Sequence, residues 1–362
     1  MRRTCLAFLL GTVATDLPAQ ALRIQVVEEA TGAPIEGAIV SLVPPRGRPT
    51  VRALSDGFGR VTLTAPAPGI WRLRGDRIGY ATASSDTIEL AAGETRDYRF
   101  ALPMIRVLLL ELLVTAKSVC GRHREADPAM AALWEEARKA LVAVGVTRAT
   151  SGIPFRLHAY AVELDPDLRV STWLGESTWV AQGARSFTAV PEATLRKFGF
   201  ARVTAAGAWY YAPDDEVLLS DYFLETHCFR SVSAGDGAEE LIGLEFTPRR
   251  ERPRPDVAGT IWLRRGDAAL SHLDFGYTGL FAPALGAGGR IEFARLPAGA
   301  WFVKKWCIRG PRWGGVLGGG ALLLSPAVKG YAENGGDAEP ASPATPSLAA
   351  AGSRSSSPCS TG

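Results

Sequence analysis

The stretch from Leu22 to Leu102 constrains the chain more than any other, because turn residues cut it into short, evenly spaced apolar runs. Leu22, Ile24 and Val26 alternate with Arg23 and Gln25, the pattern of a half-buried strand. Thr31 and Gly32 turn the chain, and Gly37 to Val43 forms the next strand. Pro44 and Pro45 end it, since proline cannot donate to a ladder. Asp56 and Gly57 mark a tight turn, after which Gly59 to Leu63 returns. Runs around Trp71, Ile88 and Tyr98 complete the set, with a turn at Ala92 to Glu94 before the last. Such spacing predicts a β-sandwich. Ala38, Val40 and Leu42 then face its core while Ile39 and Ser41 face the other way, and Gly32 and Gly57 take turn positions of positive φ.

Four words carry a family likeness: TGAPIEGAIVSL (31–42), LSDGFGRVTL (54–63), GIWRLRGDRIGY (69–80) and IELAAGETRDYRF (88–100). In this order they resemble the carboxypeptidase regulatory-like domain, over residues 22–103. The resemblance implies a transthyretin-like sandwich. It also implies a non-catalytic accessory role, as in modules that accompany enzymes, outer-membrane receptors and adhesins. Transthyretin-like hydrolases that do catalyse need histidines, and residues 22–102 contain none. The histidines are His123, His158, His227 and His272, and none begins an HxxE or HExxH zinc pattern.

Met1, Arg2 and Arg3 make a positive n-region, followed by an apolar stretch from Thr4 to Ala14 and a small-x-small pattern at Ala19 to Ala21. This predicts an exported chain whose signal peptide is residues 1–21. The alternative is a buried first strand or helix. The apolar stretch is too short to span a bilayer. Export permits disulfides. Of the five cysteines, Cys5 leaves with the signal, and Cys120, Cys228, Cys307 and Cys359 remain. A Cys120–Cys228 bridge is the preferred pairing, with free thiols the alternative, and no cysteine or histidine has zinc-site spacing.

Residues 104–127 read as a connector. Its apolar run from Met104 to Ala116 is interrupted by Arg106 and Glu111, and reads as a strand joining two domains. Asp127 and Pro128 begin a helix, with Met130, Leu133, Trp134, Ala137, Leu141 and Val144 on one face. Glu135 and Lys139 form an i,i+4 pair on the opposite side, and Gly145 is the predicted stop. Strands follow from Phe155, at Leu168–Leu174 and at Ser177–Val190, then a short helix over Pro191–Lys197 and a brief strand at Trp209. Asp214, Asp215 and Glu216 suit either a hard-cation site or the first turn of a helix ending at Cys228, and the helix is the stronger reading. Five antiparallel strands between Leu241 and Ile308 complete an α+β domain with a curved antiparallel sheet, spanning residues 128–313. Residues 314–362, rich in Gly, Ala, Pro and Ser, read as a largely disordered tail.

The net charge of +3 implies no dominant electrostatic partner. The basic run from Arg249 to Arg254 contains no aromatic residue for base stacking, so no nucleic-acid partner is expected. His227 beside Cys228 is a poor candidate dyad, since catalytic pairs are assembled in space rather than in sequence. No GxSxG elbow or phosphate loop is present. The reading is therefore a non-enzymatic envelope protein without a cofactor. It would bind or scaffold an envelope protein or glycan, in the periplasm or in peripheral association with the outer membrane. The alternative is a periplasmic carrier of a lipid or other apolar ligand in the concave sheet, with Trp173, Trp179, Trp262, Trp301 and Trp306 as its wall.

Overall fold

The computed structural model describes residues 20–105, 119–120, 128–150, 152–183, 186–187, 190–204, 207–233, 241–249, 254–280, 282–297, 299–314 and 327–341. The expected signal segment up to residue 19, most of the connector, and the chain beyond residue 341 lie outside the described residues.

The first domain comprises β1 (Ala21–Glu28), β2 (Ile39–Val43), β3 (Val51–Leu54), β4 (Arg60–Thr64), β5 (Gly69–Asp76), β6 (Ala83–Ser84), β7 (Ile88–Leu90) and β8 (Thr95–Leu102). One sheet has the order β4-β1-β8, with β1 parallel to β8. The other runs β3-β2-β5-β6, with β7 added on β5. Leu22, Ile24 and Val26 of β1 meet Val40, Leu42, Trp71 and Leu73 between the sheets, which makes this a sandwich. At the Asp56 turn, Asp56 Oδ1 accepts from the amides of Phe58 (2.9 Å) and Arg60 (2.8 Å). The positive φ falls on Gly59 (+74°) rather than Gly57, and a Cβ on Gly59 would lie 2.4 Å from the carbonyl oxygen of Val26.

The second domain begins with β9 (Val119–Cys120), followed by α1 (Pro128–Thr150). The remaining elements are β10 (Pro154–Leu164), β11 (Val170–Gln182), α2 (Glu192–Phe198), β12 (Ala201–Thr204), β13 (Gly207–Tyr210), α3 (Asp215–Leu218), α4 (Asp221–Thr226) and β14 (His227–Ser233). Then come β15 (Leu241–Pro248), β16 (Asp256–Arg264), β17 (Leu270–Thr278), β18 (Gly288–Arg295), β19 (Trp301–Gly314) and β20 (Ala327–Pro340). Ten strands form one curved antiparallel sheet in the order β11-β10-β20-β19-β18-β17-β16-β15-β14-β9. The apolar face of α1 lies in one core with Phe155, Leu157, Phe229, Leu244, Ile261, Leu273 and Ile291 of the sheet.

Several expectations change. The helix runs through Gly145 to Thr150. A Cβ at Gly145 would lie 2.7 Å from Asp215 Oδ2, so this glycine lets α3 approach rather than ending α1. Lys139 is buried and pairs with Glu136 (2.7 Å), not with Glu135. The two strands expected between Leu168 and Val190 are one continuous strand, β11. The helix expected to end at Cys228 is two short helices, each capped by its own residue: Asp214 accepts from Val217 N, and Ser220 from Phe223 N. Cys228 lies in β14. The expected tail contributes β20, inserted between β10 and β19, so the second domain extends past residue 313.

Ile39 and Ser41 face away from the sandwich core, as expected, yet both are buried, and Ile39 joins the second domain's core with Ile78. The seam between the domains is ionic as well as apolar. Asp76 accepts from Arg138 Nη2 (2.7 Å), Arg74 Nε (3.0 Å) and Thr82 Oγ1 (2.8 Å). Burial pushes the Asp76 carboxyl up, but the Arg74 hydrogen bond and the Arg138 charge outweigh it and hold the pKa below its ordinary value. Beside it, Lys139 Nζ donates to the carbonyl of Tyr80 (2.6 Å), and Glu136 accepts from the amide of Gly79 (3.0 Å). The Gly37 and Gly299 backbones also touch across the seam: a Cβ on Gly37 would lie 2.8 Å from Gly299 Cα.

Candidate functional site at the free edge of the large sheet

Strand β11 forms a hairpin with β10 through a turn at Asp165, whose Oδ1 accepts from the amide of Arg169 (2.8 Å), with Leu168 at φ +64°. It ends the sheet order, so only one of its edges is paired with a described strand. Consecutive side chains on a strand point to opposite faces. The adjacent Trp179 and Val180 therefore place apolar groups on both faces, and Trp173 and Leu174 add two more at a bulge where Leu174 has no partner on β10. They stay exposed there, at 43%, 59%, 41% and 61%.

The strand is held in place from behind. His158 of β10 contacts Glu176 of β11 (Nε2 to Oε1, 2.5 Å) and Asp337 of β20 (Nδ1 to Oδ1, 3.1 Å). The ring of Tyr160 lies 6.2 Å from that of Trp173, and its hydroxyl donates to the buried Glu333 (3.1 Å). Glu333 is also the partner of Arg309. An exposed, long, apolar edge of this kind invites pairing with another chain, and exposed indoles offer flat apolar faces with a polar N–H.

The five tryptophans named from sequence do not line one cavity. Trp173 and Trp179 lie on β11, Trp301 and Trp306 are buried in the core with α1, and Trp262 stacks on His272 with ring centroids 6.1 Å apart. The face of the sheet against α1 is filled by apolar side chains. Leu174 and Val180 were not singled out by sequence reasoning. Their signal was the doubled apolar positions, Trp173–Leu174 and Trp179–Val180, within one strand-length run.

Of the four histidines, His123 lies outside the described residues, and His158, His227 and His272 are engaged structurally. His227 is fully buried, stacks on Phe223 at 3.8 Å, and has ring nitrogens within 3.1 Å of the carbonyls of Phe223 and Val257. His272 contacts Asp274 (3.3 Å), and Arg290 pairs with the same carboxylate. Burial raises the Asp274 pKa, but hydrogen bonds from His272 and Arg290 outweigh it and bring the value to about 2. Cys228 is disulfide-bonded, which removes the thiol that a dyad with His227 would need. Cys120 stands directly opposite Cys228 in the β9–β14 register, and Cys307 is disulfide-bonded as well. The acidic cluster is a helix start: Asp214 caps α3, and Asp215 and Glu216 pair with Arg148 (2.6 and 2.7 Å). Among the described residues, no group of three or more His, Cys, Asp or Glu is placed to hold a metal ion. Likewise among them, no helix is long and apolar enough to cross a membrane.

A family model for the carboxypeptidase regulatory-like domain matches residues 21–103. No curated protein matches the chain. Among solved structures, a streptococcal ancillary pilin is 10% identical over 55% of this chain, with a TM-score of 0.21, and this chain covers 60% of the pilin's length. The Bacillus cereus major pilin subunit BcpA is 6% identical over 87% of this chain and 95% of its own, with a TM-score of 0.20. A putative membrane-associated protein of unknown function from Bacteroides fragilis is 11% identical over 89% of this chain and 98% of its own, with a TM-score of 0.17. The sandwich, the glycine-marked turns and the family match agree: residues 21–103 form a carboxypeptidase regulatory-like domain.

Proposed function

We propose that this is an exported, non-enzymatic envelope protein that binds or scaffolds an envelope protein or glycan through the free edge of β11. The exposed Trp173, Leu174, Trp179 and Val180 on that edge carry the reading. Export is supported by the basic and apolar residues at the start of the chain and by the disulfide-bonded Cys228 and Cys307, since such bonds persist in oxidising compartments. Periplasmic and peripheral outer-membrane locations both satisfy these observations. Gln20 and Ala21 are built into the first sheet, where Ala21 pairs with Thr64 and Thr95 and Gln20 exchanges hydrogen bonds with Ala65. We accordingly place cleavage after Ala19, two residues before the site after Ala21 that the sequence pattern alone predicts. N-terminal sequencing that begins at Leu22 would contradict this.

The two partner classes are separable by mutation. Stacking on sugar rings depends on the indoles, whereas addition of an extended peptide depends on an open, uncharged edge. The test is binding of the purified mature protein to isolated envelope glycan and to solubilised envelope proteins, with W173A/W179A and L174K/V180K variants. A glycan ligand predicts loss of about tenfold or more in W173A/W179A, and a peptide ligand predicts that L174K/V180K is the more damaging pair. Wild-type binding retained in both pairs would overturn the assignment to β11.

A further inference from the structure

A cavity of about 430 Å³ opens at the seam between the domains, a volume in the range of small-molecule sites. Its polar lining is Arg77 and Tyr80 from the first domain, with Asp267 and, from the end of β18, Arg295. Its apolar lining includes Ile78, Met104 and Ile105 on one side and Trp301 on the other. Met104 and Ile105 are exposed at 53% and 39%, whereas Trp301 and Ile78 are buried. One tryptophan of the set named from sequence as an apolar ligand wall thus does line a cavity, though not the one expected.

The charges in this cavity are unbalanced. Arg77 Nε donates to the carbonyl of Glu36 (2.8 Å), a neutral acceptor. The nearest acid in the lining, Asp267, is already held by Arg264 through Nε (3.2 Å) and Nη2 (2.8 Å) and by the amide of Ala269 (3.1 Å). Burial, followed by the facing charge of Arg295, lowers the Arg77 pKa to about 10, which still leaves it cationic at neutral pH. The charges of Glu36 and Asp267 act on Arg77 from nearby without outweighing burial, and neither guanidinium is in a described ion pair. Two such guanidiniums above an apolar floor form a receptor for a planar anion, because the fork of N–H donors matches a carboxylate bidentately.

We propose that the interdomain cavity binds a small carboxylate that bears an apolar group, with the carboxylate between Arg77 and Arg295 and the apolar part against Ile78, Met104, Ile105 and Trp301. This site is separate from the β11 edge, so each stands or falls alone. Because both domains contribute to it, occupancy adds a ligand bridge to the seam.

The test uses the whole mature chain and 3-phenylpropionate as the probe, with the neutral 3-phenylpropanamide as control, by isothermal titration calorimetry. For a ligand of this size a dissociation constant on the order of 0.1–1 mM is expected. The amide should bind about tenfold more weakly or worse, since it cannot answer the two cations. Arg295 is exposed, so R295Q should keep the melting temperature and lose about fivefold or more in affinity for the acid. Equal binding of acid and amide, unchanged affinity in R295Q, or no saturable binding below about 10 mM would each overturn the proposal.

Discussion

Asp214 shows how one carboxylate serves the fold at a cost. It caps α3 by accepting from the amide of Val217 (2.8 Å), yet it is buried. Burial raises its pKa to about 6, the cap hydrogen bond opposes this, and neighbouring Asp215 reinforces it. A carboxyl whose folded pKa exceeds its unfolded value of about 3.9 binds more protons in the folded state between those values. Its contribution to stability therefore falls as pH rises from about 4 to about 6, opposite to the usual behaviour of a paired carboxylate. Asp76 is the usual case: its contribution is present above the unfolded pKa and is lost as pH falls through its lowered folded value. Asn caps a helix as well as Asp without the charge. We expect Asp214→Asn to stabilise the protein at pH 7.5 by on the order of 1–2 kcal/mol and to leave stability at pH 4 nearly unchanged, measured by urea denaturation at both pH values. Equal effects at the two pH values would contradict this account.

Element by element, the legible parts were those where one face is buried. The alternation of Leu22, Ile24 and Val26 and of Val40 and Leu42 located β1 and β2, and the stripe Met130, Leu133, Trp134, Ala137 and Leu141 located α1. Strand β20 was illegible because its glycines make room for large neighbours instead of packing themselves. A Cβ at Gly335 would lie 2.3 Å from the Tyr160 hydroxyl, and one at Gly336 would lie 2.6 Å from the Trp306 ring. A Gly-rich run in sequence is here a surface on which aromatic side chains rest. Without β20, both β10 and β19 lose a partner in the middle of the sheet. A chain ending at Gly314 should therefore fail to fold and should aggregate, while one ending at Ala341 should give a cooperative thermal transition. A soluble, cooperative chain ending at Gly314 would refute the role given to β20. The cysteines add a second check. Five strand spacings of about 4.8 Å separate β14 from β19, too far for Cys228 and Cys307 to bond each other. We assign Cys120 to Cys228 from their register, and a non-reducing peptide map should recover that pair along with a separate Cys307 linkage. A Cys228–Cys307 peptide would contradict the sheet order.

At the scale of the whole molecule, the two domains meet along α1, which is buried on both sides. Its apolar stripe meets the large sheet, while Glu135, Arg138, Glu136 and Lys139 meet the sandwich. From the sequence alone Glu135 and Lys139 read as an i,i+4 pair on the side opposite the apolar stripe; their partners across the seam were not legible, because the opposing Asp76, Thr82 and Tyr80 lie more than fifty residues away in the chain. The seam buries the outer face of the β2 sheet and leaves β11, at the far end of the other sheet, as the long strand with apolar groups exposed on both faces. Trp173 and Trp179 were visible in sequence as candidate ligand contacts, but their surroundings were not, because edge position depends on the whole strand order. The central claim is that recognition occurs at this edge. Hydrogen exchange of the mature protein, with and without saturating envelope glycan or envelope protein extract, tests it most directly. The account predicts new protection concentrated in Val170–Gln182, with the seam unchanged; bound partner with no new protection in that strand, or protection elsewhere alone, would contradict it.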